Sequence, residues 1–102
     1  MMYAIILAVA LLGTNPTYNG LVYVRSADCP VCESMSPTIQ KLLIEGKPII
    51  IITVKTAAEL EVYNVKHVPA TLAYKRGKVI HKTEGLLSIT ELRQWIHDIE
   101  DR

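Results

Sequence analysis

The sequence is short of net charge, of cysteine and of repetition. Its 11 basic and 10 acidic residues nearly cancel, leaving +1 over 102 residues. That balance gives no electrostatic basis for binding nucleic acid or a polyanionic partner. Two cysteines, Cys29 and Cys32, are too few for the disulfide framework of a small secreted scaffold. There is no internal repeat and no low-complexity segment, which argues against a solenoid. What remains is a chain of single-domain length, 50% hydrophobic, able to bury a modest core without covalent staples.

Charge is also missing locally. The first charged side chain is Arg25, although a 21% charged composition would put about five charges in the 24 residues before it. Within that stretch Tyr3–Leu12, YAIILAVALL, is continuously apolar. It is shorter than the ~20 residues a membrane span needs. It has the length of a signal-peptide apolar region, and Ala8–Ala10 would serve as a small-residue cleavage site. No Lys or Arg precedes it, so the positive start of a signal peptide is missing. Residues 1–19 are expected to be this leader, a signal peptide or membrane anchor, and a loop rich in turn formers; residues 20–102 are expected to be the folded domain. The reading leans towards an exported protein, or one attached to a membrane through residues 3–12. The alternative is a cytoplasmic protein in which the run is a buried first strand or helix.

Strand and helix signals then alternate. Leu21–Arg25 is β-branched and aromatic and predicts a strand. From Pro30 to about Glu45 the apolar positions Val31, Met35, Ile39 and Leu42 recur at helical spacing, and Gly46 and Pro48 end the run. Ile49–Val54, IIIITV, predicts a central strand buried on both faces. Thr56–Asn64 suggests a short helix. Ala70–Tyr74 and Val79–Thr83 flank Lys75-Arg76-Gly77-Lys78 as a β-hairpin, its basic residues read as a solvated turn. Ser88-Ile89-Thr90-Glu91 is a capping box that opens a helix with the apolar stripe Ile89, Leu92, Ile96 and Ile99, Trp95 beside it. Strand, helix, strand, helix, strand, strand, helix predicts a three-layer α/β sandwich.

This order places the cysteines at a strand-to-helix junction, with Pro30 at the favoured first helical position. A helix N-terminus offers unpaired N–H groups and partial positive charge, which stabilise a thiolate, the nucleophile of disulfide exchange. Cys32, about one turn on, is close enough to resolve a mixed disulfide. The other readings are half a zinc site and a structural bridge. Zinc needs four ligands, and His67, His81 and His97 fall at no zinc-finger spacing. A bridge closing so small a loop would stabilise little. Further along, His67-Val68-Pro69-Ala70-Thr71 puts a proline at a strand entrance, where a cis Val68–Pro69 bond is an option.

SADCPVCESMSPTIQKLL, with Pro37 as a kink proline, resembles the active-site strand and helix of the thioredoxin family. YNVKHVPATLAYKRGKVIHKTEGLLSITELRQWI resembles its second half. The resemblance spans about residues 20–100. It implies a thioredoxin-like α/β/α sandwich with a mixed four-stranded sheet. It also implies a thiol–disulfide oxidoreductase that exchanges or reduces protein disulfides. Cys29 would attack the substrate and Cys32 would resolve the mixed disulfide. Pro30, Val31, Val68, Pro69 and Gly85 would line the substrate, and Val68 would offer its backbone to an extended segment. No metal and no cofactor is implied beyond the reversible Cys29–Cys32 disulfide. The implied partners are protein disulfides and a reductase or thiol donor, acting on a monomer.

The chain departs from the family in three places. Asp28 stands where tryptophan usually precedes the nucleophile; ionised, it would raise the Cys29 pKa against the helix terminus. Tyr23 stands where thioredoxins carry a buried acid. Pro30-Val31 is closer to the C-P-x-C of glutaredoxins, although their Gly-Gly pair is reduced to Gly85. The alternatives are therefore a glutathione-dependent reductase and a non-catalytic binding module on the same scaffold.

Overall fold

The computed structural model describes residues 17–101; the apolar run Tyr3–Leu12 lies outside them. The elements follow the expected order: β1 (Gly20–Ser26), α1 (Pro30–Ile44), β2 (Ile49–Val54), α2 (Ala57–Glu61), β3 (Ala70–Lys75), β4 (Lys78–Glu84) and α3 (Ile89–Glu100). Local chemistry fixes most boundaries. Thr56 and Ser88 each begin a complete capping box, with Glu59 and Glu91 reaching back to the cap N–H. Helix α1 ends in a Schellman motif: Gly46 N–H donates to the Leu43 carbonyl and Lys47 N–H to that of Leu42. Gly46 takes φ +82° there, which a side chain would oppose. The β3–β4 turn places Arg76 at φ +55° and Gly77 at +76°, the left-handed pair of a tight hairpin.

The four strands are ordered β2-β1-β3-β4, with β1 parallel to β2 and antiparallel to β3. Alternation divides the strands between two cores. Leu21, Tyr23 and Ala73 face α1 and α3, and pack with Met35, Ile39, Leu42, Leu92, Ile96 and Ile99. Val22, Val24, Ala70, Leu72 and Tyr74 face the side of α2, with Tyr63 and Val65. The result is the expected sandwich around a mixed four-stranded sheet.

Three expectations are corrected. Among the described residues β2 stands at the edge of the sheet, and it is not buried on both faces: Ile50 and Ile51 are exposed on opposite ones. Val31 is not part of the α1 stripe but 46% exposed, and Cys32 takes the buried position. Lys75 is not a solvated turn residue. Its ammonium donates to the Asp98 and Asp101 carbonyls, placing a cation at the negative end of α3.

Phenols are a measurable part of this packing. Burial, with Tyr74 adding to it, pushes Tyr18 up to about 12. Burial also raises Tyr23, Tyr63 and Tyr74. A phenol whose pKa is higher folded than unfolded contributes stability that is complete below the unfolded value, near 10, and lost as pH rises through the folded one. Circular dichroism is therefore expected to hold to about pH 10 and to collapse between ~10 and ~12 together with tyrosinate absorbance. Ionisation of these phenols near 10 with the fold intact would contradict their burial.

Candidate active site

Three chain segments meet at one end of the sheet. Strand β1 finishes there at Ser26, and Ala27 and Asp28 lead to Cys29. Strand β3 begins there, its Ala70 opposite Val24, so Pro69 lies one step beyond. Strand β4 ends there, with Glu84 opposite Ala70. The amide of Gly85 donates to the Pro69 carbonyl at 2.7 Å, which fastens the glycine segment to the proline. The Val68–Pro69 peptide bond is cis. A second tie, from the Lys66 amide to the Glu84 carboxylate at 3.1 Å, holds the approach to Pro69.

Cys29 and Cys32 are joined in a disulfide, with Cα atoms 5.2 Å apart. Cys29 is the N-cap of α1, and Pro30 follows as its first residue. The Cys32 N–H donates to Cys29 Sγ at 3.1 Å, and the Glu33 N–H donates to the Cys29 carbonyl at 3.0 Å. The first sulfur thus sits where a helix accepts negative charge, and a donor already points at it. The two sulfurs differ in access. Cys29 is half-buried and approachable, whereas Cys32 is wholly buried. Around them Pro30 and Val31 are exposed, Val68 and Gly85 are half-buried, and Pro69 is buried. Leu86, beside Gly85, is 59% exposed and adds apolar surface at this end.

Tyr23 occupies the space behind the pair. It is buried under α1, and its hydroxyl donates to the Cys32 carbonyl at 3.1 Å. Burial raises its pKa, opposed by Arg25 and aided by Glu33, so the phenol holds its proton at neutral pH. Tyr23 is therefore a donor, not a base. Its strand partner is Thr71, wholly buried, a pairing that sequence reasoning did not find because it depends on β1–β3 register. Among the described residues no three His, Cys, Asp or Glu side chains gather as a metal site, and no helix is long and apolar enough to cross a membrane.

The arrangement suits one chemistry: an accessible sulfur at a helix start, bonded to a shielded sulfur one turn on, opens and closes by exchange with an outside thiol or disulfide. The family model described as Thioredoxin matches residues 15–98. No curated protein matches the chain. Solved structures that resemble it include thioredoxin O2 from Arabidopsis thaliana in the oxidized state, 17% identical with a TM-score of 0.70, covering 96% of this chain and 89% of that one. Thioredoxin from Aeropyrum pernix is 21% identical with a TM-score of 0.70, covering 86% of this chain and 80% of its own. Thioredoxin 1 from Thermosipho africanus TCF52B is 24% identical with a TM-score of 0.63, covering 76% and 90%. At these identities the likeness concerns the fold.

Proposed function

Because this chain belongs to the thioredoxin family, we propose that its thiol–disulfide chemistry is the reduction or exchange of protein disulfides through a mixed disulfide on Cys29. The observation that carries this reading is the unequal access of a bonded pair: half-buried Cys29 capping α1, wholly buried Cys32 behind it. Cys29 thiolate attacks a substrate sulfur, and the substrate's other sulfur leaves as thiolate. Cys32 then attacks Cys29 Sγ, the substrate sulfur bonded to Cys29 leaves as thiolate, and the Cys29–Cys32 bond closes. The cysteine pair is itself the reacting group, so no cofactor is needed.

Pro30, Val31, Val68, Pro69 and Gly85 receive the substrate, an extended segment running past the Val68 backbone by strand addition. A reductase or small thiol returns the pair to the dithiol, and the protein acts as a monomer. The uncharged run Tyr3–Leu12 supports a site of action outside the cytoplasm or at a membrane. The test is dithiothreitol-driven reduction of insulin. Turnover well above dithiothreitol alone is expected; a rate equal to dithiothreitol alone overturns the reading.

A further inference from the structure

Thr71 is the only buried side chain among the described residues whose polar atom has no hydrogen-bond partner. It is wholly inaccessible to solvent, the second residue of β3. Alternation fixes its direction. Ala70, Leu72 and Tyr74 face the α2 side, and Ala73 faces α1 and α3, so Thr71 faces α1 as well. It stands directly opposite Tyr23, whose hydroxyl reaches the Cys32 carbonyl. Residues directly opposite in an antiparallel pair share a face with their Cβ atoms in contact range. Thr71 and Tyr23 therefore lie side by side on the sheet face that α1 covers, and Tyr23 reaches from there to the Cys32 backbone. A buried hydroxyl without a partner is unfavourable, and such an orphan calls for an explanation.

Reduction changes the polar inventory under α1. A dithiol such as dithiothreitol gives two electrons and two protons to the pair, the Cys29–Cys32 bond breaks, and dithiothreitol closes to its cyclic disulfide. Cys32 then carries a new S–H donor with no access to water. The orphaned acceptor and the new donor appear on the same face of the sheet. We propose that the Thr71 hydroxyl is the hydrogen-bond partner of the Cys32 thiol in the reduced protein, a positioning contact that favours dithiol over disulfide. This rests on reading Cys29 and Cys32 as a reversible redox pair. Tyr23 holds the Cys32 backbone in place while the sulfur changes partner.

The experiment equilibrates the full chain with mixtures of reduced and oxidised dithiothreitol and counts free protein thiols. Thr71→Val removes the hydroxyl at nearly constant shape. It takes the partner from the dithiol and relieves the orphan in the disulfide, so both effects act in one direction. An equilibrium shifted ~10-fold towards the disulfide is expected, which is about 30 mV more negative. Thr71→Ser, which keeps the hydroxyl, is expected to stay within about twofold of wild type, since the contact itself is kept. Thr71→Ala gives the same comparison should the valine variant not fold. Equal equilibria in wild type and Thr71→Val overturn the inference, because a merely structural hydroxyl, or one donating to Tyr23 in both states, affects both states alike. The count does not depend on substrate turnover. A wild type that cycles but fails to reduce insulin therefore removes the proposed function alone, and one that cannot be cycled removes both.

Discussion

Cys29→Ser is expected to lower insulin reduction to the dithiothreitol background, and Cys32→Ser is expected to stop the reaction one step later. Only a thiolate attacks a disulfide at useful rates, and a serine hydroxyl does not ionise at neutral pH. Cys32 cannot stand in for its neighbour, because it is wholly buried while Cys29 is open to a partner. On the proposed mechanism the Cys32→Ser protein keeps the nucleophile and loses the group that releases the substrate. It should accumulate a covalent complex with a protein disulfide, visible as a larger species on a non-reducing gel and dissolved by added thiol. Equal turnover in wild type and Cys29→Ser would remove Cys29 from the chemistry. A complex formed by Cys29→Ser but not by Cys32→Ser would exchange the two roles.

The largest effect on stability is expected at Leu92. This side chain is fully buried in α3, and shares its cluster with Leu21, Tyr23, Met35, Ile39 and Leu42. It joins the α3 layer to the sheet face on which α1 also rests. Leu→Ala at such a position removes transfer free energy and leaves a cavity, together about 2–5 kcal/mol. A domain of this kind has a total of about 5–15 kcal/mol, so the loss is a large fraction. Urea unfolding followed by circular dichroism should show it as a lower midpoint with the slope little changed. A loss under about 1 kcal/mol would mean that the α3 layer closes up around the missing atoms. Insulin reduction by the surviving folded fraction should persist, since Leu92 lies in the core rather than at the cysteine end of the sheet.

Much of this was legible in the chain. The capping box at Ser88, the Gly46 stop and the Arg76–Gly77 turn carry their meaning within a few residues, and all three stand where expected. The junction that places Cys29 at a helix start is equally local. Strand order and register are not. Ile49–Val54 has the composition of a doubly covered strand, yet composition does not say which neighbours a strand receives. Lys75 is adjacent to a turn in sequence and at the end of α3 in space, a contact across 26 residues to Asp101. Tyr23 could be flagged as an unusual residue behind the cysteines. Its hydroxyl's target and its pairing with an orphaned threonine needed the assembled sheet. Tertiary contacts of this kind are the ones that tune the site.

One sulfur has two jobs, and that affects how a substitution there is interpreted. Cys29 Sγ is both the proposed nucleophile and the acceptor that caps α1 through the Cys32 amide. Serine at this position keeps a capping oxygen, since serine is among the preferred N-cap residues, whereas alanine leaves the amide without its partner. An alanine scan would therefore merge a frayed helix with a missing thiol and overstate the chemistry. The serine variant separates them, and the difference between the two substitutions measures the architectural share of this position.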